Sequence, residues 1–518
     1  MFGHVKELIV ILVIAGAVFG FAKPVALRFT AERDFVRRRN VWFALTVTAF
    51  LSPTFWPFAF IAMPLLLWAG RKDNNPAALY LLLLQVIPYI SIQIPVIGIN
   101  KLFGLDNYRL LSFFVLIPLA WRIRHAKNPA RILGLQTMDV FLLMYGVVQV
   151  ALFIPPDLPN HVILHDSPTN LLRRAVLFFV DIYFLYFAVS RSCANRESIV
   201  DAEAAFCVSS IIMAVLAVFE TLRHWLLYAA LAPDWSGNDF SVPFTYLARG
   251  NMLRAEASAG HPLALGFLLA IALGLWISIQ SRARTRRSRV LVVVALIFGL
   301  LATYSRGPWL GAIFIFIAFS ALGSSRFSRL LKAGSVIILL AGVISMSPLR
   351  AQLIKALPLP GGPVDTDFTY RQRLLDQSLQ LIEARPLFGD QSALSKMQNL
   401  RQGQGIIDVV NSYIDIALFH GLVGLALFLG FILTALNRAY RAAKAMIHTD
   451  AELALLGFGL VACILGALLM MADISFILGI EKMFYVLAAL AAAYAHCARE
   501  SSRRPLVHSH SDRPTEIR

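Results

Sequence analysis

Long apolar runs constrain the fold of this chain more than any other feature of its sequence. About 20 apolar residues can cross a bilayer as a helix, because only a helix satisfies its own backbone hydrogen bonds in lipid. Of the 518 residues, 58% are apolar and 15% are charged, which is too few charges to cover a water-facing surface. The sequence therefore predicts an all-α, polytopic integral membrane protein with about 13–15 transmembrane helices. The predicted spans are 6–22, 41–52, 55–70, 78–98, 108–121, 138–155, 174–190, 202–220, 263–280, 290–304, 307–322, 333–346, 411–436, 452–473 and 480–497.

Two of the apolar runs contain a break in helical continuity. The run 41–70 is interrupted at 52–57, a Ser-Pro-Thr-Phe-Trp-Pro segment, and the run 290–322 is interrupted at 304–308, a Tyr-Ser-Arg-Gly-Pro segment. Proline lacks a backbone N–H and restricts the residue before it. We interpret each run as two spans joined by a tight turn.

The net charge of +17 could suit a nucleic-acid partner, but the positive residues stand in short segments between spans. Lysine and arginine in such segments hold them in the cytoplasm, so we predict no nucleic-acid partner. If both broken runs are hairpins, every cluster faces the cytoplasm and the N-terminus lies outside. The loops 156–173, 221–262 and 347–410 are then periplasmic, and the last is the one large periplasmic loop. The clusters are Arg37–Arg39, Arg71–Lys72, Arg122–Arg131, Arg191–Arg196, Arg282–Arg289, Arg326–Lys332, Arg438–Lys444 and the tail from Arg499.

The usual signatures of soluble enzymes and metal sites are absent from the sequence. It contains no GxxxxGK[ST], HExxH, GxSxG or CxxC pattern. The four cysteines lie in or beside predicted spans, which suggests neither a disulfide framework nor a thiolate metal site. The first apolar run lacks a small-residue cleavage site and is interpreted as a retained span. The polar tail 499–518 is predicted to be a disordered cytoplasmic segment.

Arginines at the outer ends of spans are the strongest candidates for chemistry. Arg306 lies between two apolar runs, where a charge is costly enough to suggest a function, although a snorkelling side chain at a helical turn is the alternative. Arg254 precedes the next span on the same side, and its alternative is a loop charge near lipid headgroups. Guanidinium groups bind phosphate oxygens through two parallel hydrogen bonds. Several outward arginines would therefore suit a diphosphate.

The large outer loop contains a predicted helix at 370–384. Arg371 and Arg373 stand at its start, and a proline and glycine follow its end. Its Leu375, Leu379 and Ile382 recur at helical spacing. We expect this apolar face to pack onto the membrane-spanning bundle.

The order of these motifs resembles the O-antigen ligase and O-antigen polymerase superfamily. The resemblance covers residues 250–436: Arg254 before His261-Pro262, the Ser-Arg-Gly turn 305–307, the arginine-led helix ending in Pro-Leu-Phe-Gly at 386–389, and Asn-Ser-Tyr at 411–413 followed by Gly421 and Gly424. On this basis the chain divides into N-terminal transmembrane helices (1–250), an O-antigen ligase/polymerase-like core (251–436), C-terminal transmembrane helices (437–498) and the tail (499–518).

The resemblance implies a bacterial inner-membrane glycosyltransferase with an all-helical, C-type fold and a periplasmic active site. Its donor would be a glycan on undecaprenyl diphosphate, used without a cofactor or metal. The family's phosphate-binding arginines would correspond to Arg254 and Arg306, with Arg371 or Arg373 as a third. Other polysaccharide assembly proteins would be its partners beside the lipid bilayer.

The sequence departs from the ligase pattern at one position. Ligases of this family carry a histidine immediately before the position of Asn411, and this chain has Val410 there. A valine cannot accept a proton, so the ligase-type general base is missing. We name Asp408 and Asn411 as catalytic candidates with Arg254 and Arg306; the other possible bases are Asp376, Asp415, His261 and His420.

The missing histidine favours a polymerase-like transferase of surface polysaccharide or exopolysaccharide assembly. An O-antigen ligase that joins the glycan to lipid A core is the alternative within the family. A lipid-linked oligosaccharide flippase is an alternative of another class, for which Asp181 inside a span is the single candidate residue. A non-enzymatic scaffold is the third.

Overall fold

Helices make up most of the part of the chain that the computed structural model describes. That part comprises residues 4–88, 90–94, 102–125, 136–152, 168–231, 235, 247–249, 252–283, 285–322, 366–401, 407–477 and 479–503. Its α-helices are α1 (Val5–Ala26), α2 (Glu32–Leu51), α3 (Phe55–Lys72), α4 (Pro76–Leu83), α5 (Asn107–Leu111), α6 (Ile117–Arg124), α7 (Thr137–Ala151), α8 (Pro168–Phe178), α9 (Phe184–Ser192), α10 (Arg196–Arg223), α11 (Pro262–Ile279), α12 (Arg286–Ala302), α13 (Arg306–Leu322), α14 (Thr366–Ala384), α15 (Ala393–Lys396), α16 (Ser412–Met446), α17 (Ala451–Met471) and α18 (Gly479–Arg503).

Strands are confined, among the described residues, to two very short antiparallel hairpins. Ile92–Gln93 pairs with Gly104–Leu105, and Ala248–Arg249 pairs with Met252–Leu253. π-Helical segments at Ser112–Leu116 and Phe179–Tyr183 join α5 to α6 and α8 to α9. The second hairpin matters for the site because it leads directly into Arg254.

Five described helices are long and apolar enough to cross a membrane, namely α1, α10, α11 with its 3₁₀ extension to Arg282, α16 and α17. Two shorter helices, α7 and α13, are also apolar. The predicted all-α, polytopic membrane fold is confirmed, whereas the number of spans stays a prediction. The predicted span 333–346 and the cluster Arg326–Lys332 lie outside the described residues.

Both predicted helical hairpins are present. α2 ends at Leu51 and α3 begins at Phe55, and α12 ends at Ala302 with α13 beginning at Arg306. In each case a proline stands where the chain leaves or re-enters helical geometry, because its ring cannot sit in a helix interior without loss of a hydrogen bond. The second turn places Arg306 at the first position of α13.

The bundle has two ends, which the contacts between helix termini define. We call one of them the Ile474 end. There Ser412 Oγ donates to Ile474 O at 2.6 Å, so the start of α16 lies beside the end of α17. At the other, the arginine end, Arg196 pairs with Asp450 at 3.1 Å, which joins the start of α10 to the start of α17.

Ion pairs link further arginine clusters at the arginine end. Arg38 is buried and bridges Asp73 and Asp201, with its nearest nitrogen 2.7 Å from each carboxylate. Arg282 lies 3.7 Å from Glu452, beside the start of α17. The described clusters therefore gather at one end of the bundle. The cluster Arg438–Lys444, predicted to lie in a loop, instead occupies the last turns of α16, because that helix continues to Met446.

The prediction of the apolar face of α14 was wrong for Leu375 and Leu379. Leu374 is 3% exposed, whereas Leu375 and Leu379 are 40% and 46% exposed. The buried face also includes Ser378, with Ile382 partly buried beside it. Because leucines stand at both 374 and 375, helical spacing alone does not show which of the two lies on the buried face. The side chains of the start of α14, like residues 347–365 of the loop, lie outside the described residues.

The observed buried face predicts which leucine of α14 holds the helix in place. Leu374 packs with Ala393, Met397 and Leu418, so Leu374→Asp should destabilise the segment by about 2–5 kcal/mol through loss of burial and an unpaired charge. Leu379→Asp, on the exposed side of the same helix, is the matched control and should change stability little. Protease sensitivity of the segment in purified protein checks both variants, and equal sensitivity of the two would contradict this packing.

Candidate functional site

Arg254 is bonded to the turn that precedes Arg306. Its Nη2 donates to Ser305 Oγ at 3.0 Å and its Nε to Thr303 O at 3.3 Å. The neighbouring Ala255 N–H donates to the carbonyl of the last residue of α12 at 3.0 Å. Arg306 is half-buried at the first position of α13. The structure therefore brings Arg254 to the Ser-Arg-Gly turn, although Arg254 and Ser305 are 51 positions apart in sequence.

Asp473 connects this turn to the outer-loop helix. Its carboxylate forms an ion pair with Arg371 of α14 and lies against Gly307, where a β-carbon would overlap Oδ2. Arg371 is therefore linked through Asp473 to Gly307, the residue next to Arg306. Arg373 stands two residues further along α14, about 200° around the helix axis, and is exposed. Of the two sequence candidates for a third arginine, the structure brings Arg371 to the turn.

Asp408 and Asn411 lie beside the same loop of the Ile474 end but in different settings. Ser475, two residues after Asp473, donates its hydroxyl to Asp408 Oδ1 at 2.7 Å. The Asp408 side chain is exposed. Asn411 caps α16, because its Oδ1 accepts hydrogen bonds from Tyr413 N–H at 2.9 Å and from Ile414 N–H at 3.2 Å. Asp408 is therefore accessible for proton transfer, whereas the Asn411 oxygen is occupied by the helix terminus.

The two histidines considered as replacement bases occupy structural positions. Nδ1 of His261 accepts the Leu263 N–H at 3.2 Å as the N-cap of α11. Burial, reinforced by the positive charge of Arg254, lowers the pKa of His261 to about 4, so the ring is neutral at pH 7. The His420 ring packs against Tyr145 at a centroid distance of 5.8 Å. Val410 is half-buried at the place of the ligase histidine.

Two buried acids lie in or against the segment that carries Arg254, and sequence reasoning missed both; Glu220 holds the segment through hydrogen bonds. The Glu220 carboxylate accepts the N–H groups of Leu227 at 3.0 Å, Glu256 at 3.1 Å and Ala257 at 2.8 Å. Glu256 is fully buried, and burial followed by the nearby charge of Glu220 raises its pKa to about 9. It is therefore protonated at pH 7. The one signal in the sequence that could have identified them is that acidic residues are rare at the ends of such apolar runs.

The Pro-Leu-Phe-Gly segment is joined to α16 by backbone hydrogen bonds. The N–H groups of Leu422 and Val423 donate to Pro386 O at 2.8 Å and Leu387 O at 3.1 Å, and Asp390 N–H donates to a carbonyl of α16 at 2.7 Å. α16 is kinked at Gly421, whose φ of 66° lies in the left-handed region. The kink frees the N–H groups that the loop then satisfies, and this junction fixes α14 over the site.

Gly389 and Gly421 allow the two backbones of this junction to touch. A β-carbon on Gly421 would overlap the Leu387 carbonyl, and one on Gly389 would overlap backbone atoms of α16. Gly389 also has a positive φ, of 69°. Both positions therefore require glycine for conformation and for space.

Asp181, the candidate residue for a transporter, is ion-paired on both sides. Its carboxylate is 2.9 Å from Arg109 Nη2 and 3.2 Å from Lys482 Nζ. Lys482 is buried beside it. The acid is thus held between two basic side chains, one from α5 and one from α18, and is not an isolated charge.

The arrangement at the Ile474 end is suited to an anion. Arg254, Arg306 and Arg371 bring positive charge to this turn, beside the carboxylate of Asp473 and with the exposed Asp408 beyond it. Guanidinium groups in this setting can bind a diphosphate and stabilise the negative charge that develops on it as it leaves. Within the described ranges no group of three or more His, Cys, Asp or Glu side chains could hold a metal ion.

Residues 291–429 match a protein-family model described as O-antigen ligase. The matched segment contains the turn with Arg306, the helix with Arg371 and Arg373, and both Asp408 and Asn411; Arg254 lies upstream of it. No curated protein sequence matches the chain at a significant level.

Proposed function

We propose that this chain, whose residues 291–429 match a family model described as O-antigen ligase, is a polymerase-like glycosyltransferase of that superfamily. Its donor is a glycan carried on undecaprenyl diphosphate, and its product belongs to a surface polysaccharide or exopolysaccharide. The observation that carries the proposal is the convergence of Arg254 and Arg371 on the turn that presents Arg306, through Ser305 and Asp473.

The chemistry follows from the charges at this turn. An acceptor hydroxyl attacks the anomeric carbon of the donor sugar, and the bond from that carbon to the diphosphate oxygen breaks with inversion. The arginines stabilise the negative charge that the diphosphate gains. The hydroxyl proton passes to a carboxylate, and Asp408 is our candidate because its side chain is exposed beside the arginine group.

The distribution of charge supports an orientation in the bacterial inner membrane. The described arginine clusters gather at the arginine end, and such clusters stay in the cytoplasm. The Ile474 end, with the candidate site, then faces the periplasm. This side is where a glycan already assembled on its lipid carrier would be transferred.

Ligation to lipid A core is the second candidate within the family. The family match supports it as much as polymerisation, but Val410 offers no proton acceptor at the ligase position. The flippase alternative rests on Asp181 alone, and that residue is ion-paired with Arg109 and Lys482.

Reconstitution tests the reaction type directly. Purified protein in liposomes would be given an undecaprenyl-diphosphate-linked glycan, with and without a lipid A core acceptor, and the products separated by size. We expect glycan chains longer than the donor glycan, with release of undecaprenyl diphosphate, in the absence of lipid A core. Product formed only with lipid A core would assign a ligase, and movement of intact donor across the bilayer without transfer would assign a flippase.

A further inference from the structure

A second arginine-lined site lies at the opposite end of the bundle from the candidate active site. A cleft of about 430 Å³ separates the last turns of α16 from the last turns of α18. Arg438 and Arg441 line it from one helix and Arg499 from the other, together with Asn437 and Ser502. The proposed glycosyl transfer uses none of these residues.

The charge of this cleft is strongly positive. Its described lining contains three arginines and no aspartate or glutamate. The two helix C-termini nearby contribute only partial negative charges, about −0.5 each. Arg441 and Arg499 are exposed, while Arg438 is half-buried and donates to Gln136 Oε1 at 3.0 Å. One arginine is therefore fixed by the fold, and two present their guanidinium groups at the cleft.

The cleft lies where the surface of α16 changes from apolar to charged. It extends along α16 from Thr434 to Met446, which is about 18 Å of helix. Leu433, one residue before it, is an exposed apolar side chain, 50% exposed, on a helix apolar enough to cross the membrane. Alanines and Met446 complete its walls. The cleft thus runs from a lipid-facing surface to the charged end of the bundle.

We propose that this cleft binds the phosphate of an anionic phospholipid headgroup from the leaflet at the arginine end. Arginines held between apolar helix walls match a phosphate that remains attached to acyl chains, since the chains can continue along the exposed apolar surface of α16. The hydroxyl of Ser502 and the amide of Asn437 supply further polar contacts for the glycerol group. A bound lipid of this kind would hold α16 and α18 together at the end remote from the site.

Lipid titration of the purified full chain tests the site. Phosphatidylglycerol and phosphatidylcholine are added to the delipidated protein in detergent, and bound lipids are counted by native mass spectrometry. We expect one saturable phosphatidylglycerol, with phosphatidylcholine at least tenfold weaker. Arg441→Gln with Arg499→Gln should weaken phosphatidylglycerol about thirtyfold, taking roughly one kcal/mol for each arginine.

The matched control removes two exposed arginines of the same end that do not line the cleft. Arg122→Gln with Arg124→Gln should leave binding unchanged. Equal weakening by the two double variants would overturn the proposal in favour of diffuse attraction, and equal binding of the two lipids would overturn it as well. Glycerol phosphate competing as tightly as the lipid would show a site for free phosphate instead.

A second variant keeps the proposal testable if the arginine variant unfolds. Ala445 is an exposed alanine on the cleft wall, and Ala445→Trp should occlude the cleft without a change of charge. We expect it to lose the saturable phosphatidylglycerol at an unchanged thermal unfolding midpoint. Undiminished binding in this variant would contradict the site.

Discussion

Arg306→Ala and Arg254→Ala should each abolish detectable glycan product in a deletion strain that carries the variant at wild-type membrane level. Removal of one preorganised donor from a site of this kind costs about 10²–10³ in rate. Arg254→Ala should in addition loosen the turn that presents Arg306, because Arg254 bonds to Thr303 and Ser305 of that turn.

Lysine variants separate charge from hydrogen-bond geometry at these positions. Lysine keeps the positive charge but loses the two parallel donors of the guanidinium, so Arg306→Lys should retain reduced activity where Arg306→Ala has none. Arg401→Ala is the control, since Arg401 is an exposed arginine of the same loop region. Wild-type polymer length in the Arg306→Ala and Arg254→Ala strains would show that this arginine site is not needed for polymerisation.

Gly421→Ala and Gly389→Ala should disrupt the site without touching an arginine. Each alanine would have to hold a left-handed backbone conformation, at about 1–3 kcal/mol, and would also overlap the facing backbone. The hydrogen bonds from Leu422 and Val423 to the 386–387 segment would then be lost. We expect rapid proteolysis of the loop around α14 and loss of activity.

Gly20→Ala provides the control for these glycine variants. Nothing lies within 4 Å of a β-carbon at Gly20, and alanine favours a helix, so this variant should be at least as stable as the wild type. Comparison of protease half-lives in purified protein measures the difference. Active, protease-resistant Gly421→Ala protein would show that the junction of α16 with the loop is not required.

Much of the fold could be predicted because membrane spans are local features of sequence. The hairpins at Pro53 and at the turn before Arg306 followed from breaks in apolar runs. The face of α14 could not be assigned, since Leu374 and Leu375 are adjacent and only the packing against Met397 and Leu418 distinguishes them. Which face of a helix is buried depends on the surface that it packs against, and helical spacing carries no information about that surface.

The candidate site could likewise be predicted only in part from the sequence. Arg254 and Arg306 were identified from residue type, position and resemblance, and their role in binding stays a prediction. Asp473 and Glu220 were missed because their relevance arises only from folding: one reaches Arg371 and Gly307, and the other accepts the N–H groups of the Arg254 segment. Neither contact leaves a pattern in sequence spacing.

Binding of undecaprenyl diphosphate to the purified protein is a direct test of the arginine site. The ligand is titrated against wild type, Arg254→Ala, Arg306→Ala and the control Arg401→Ala, with undecaprenol as the ligand that shares the chain and lacks the phosphates. The arginine site predicts that wild type and Arg401→Ala prefer the diphosphate by at least tenfold and that the two site variants lose this preference. Equal affinity of wild type for both ligands, or an unchanged preference in Arg254→Ala and Arg306→Ala, would contradict it.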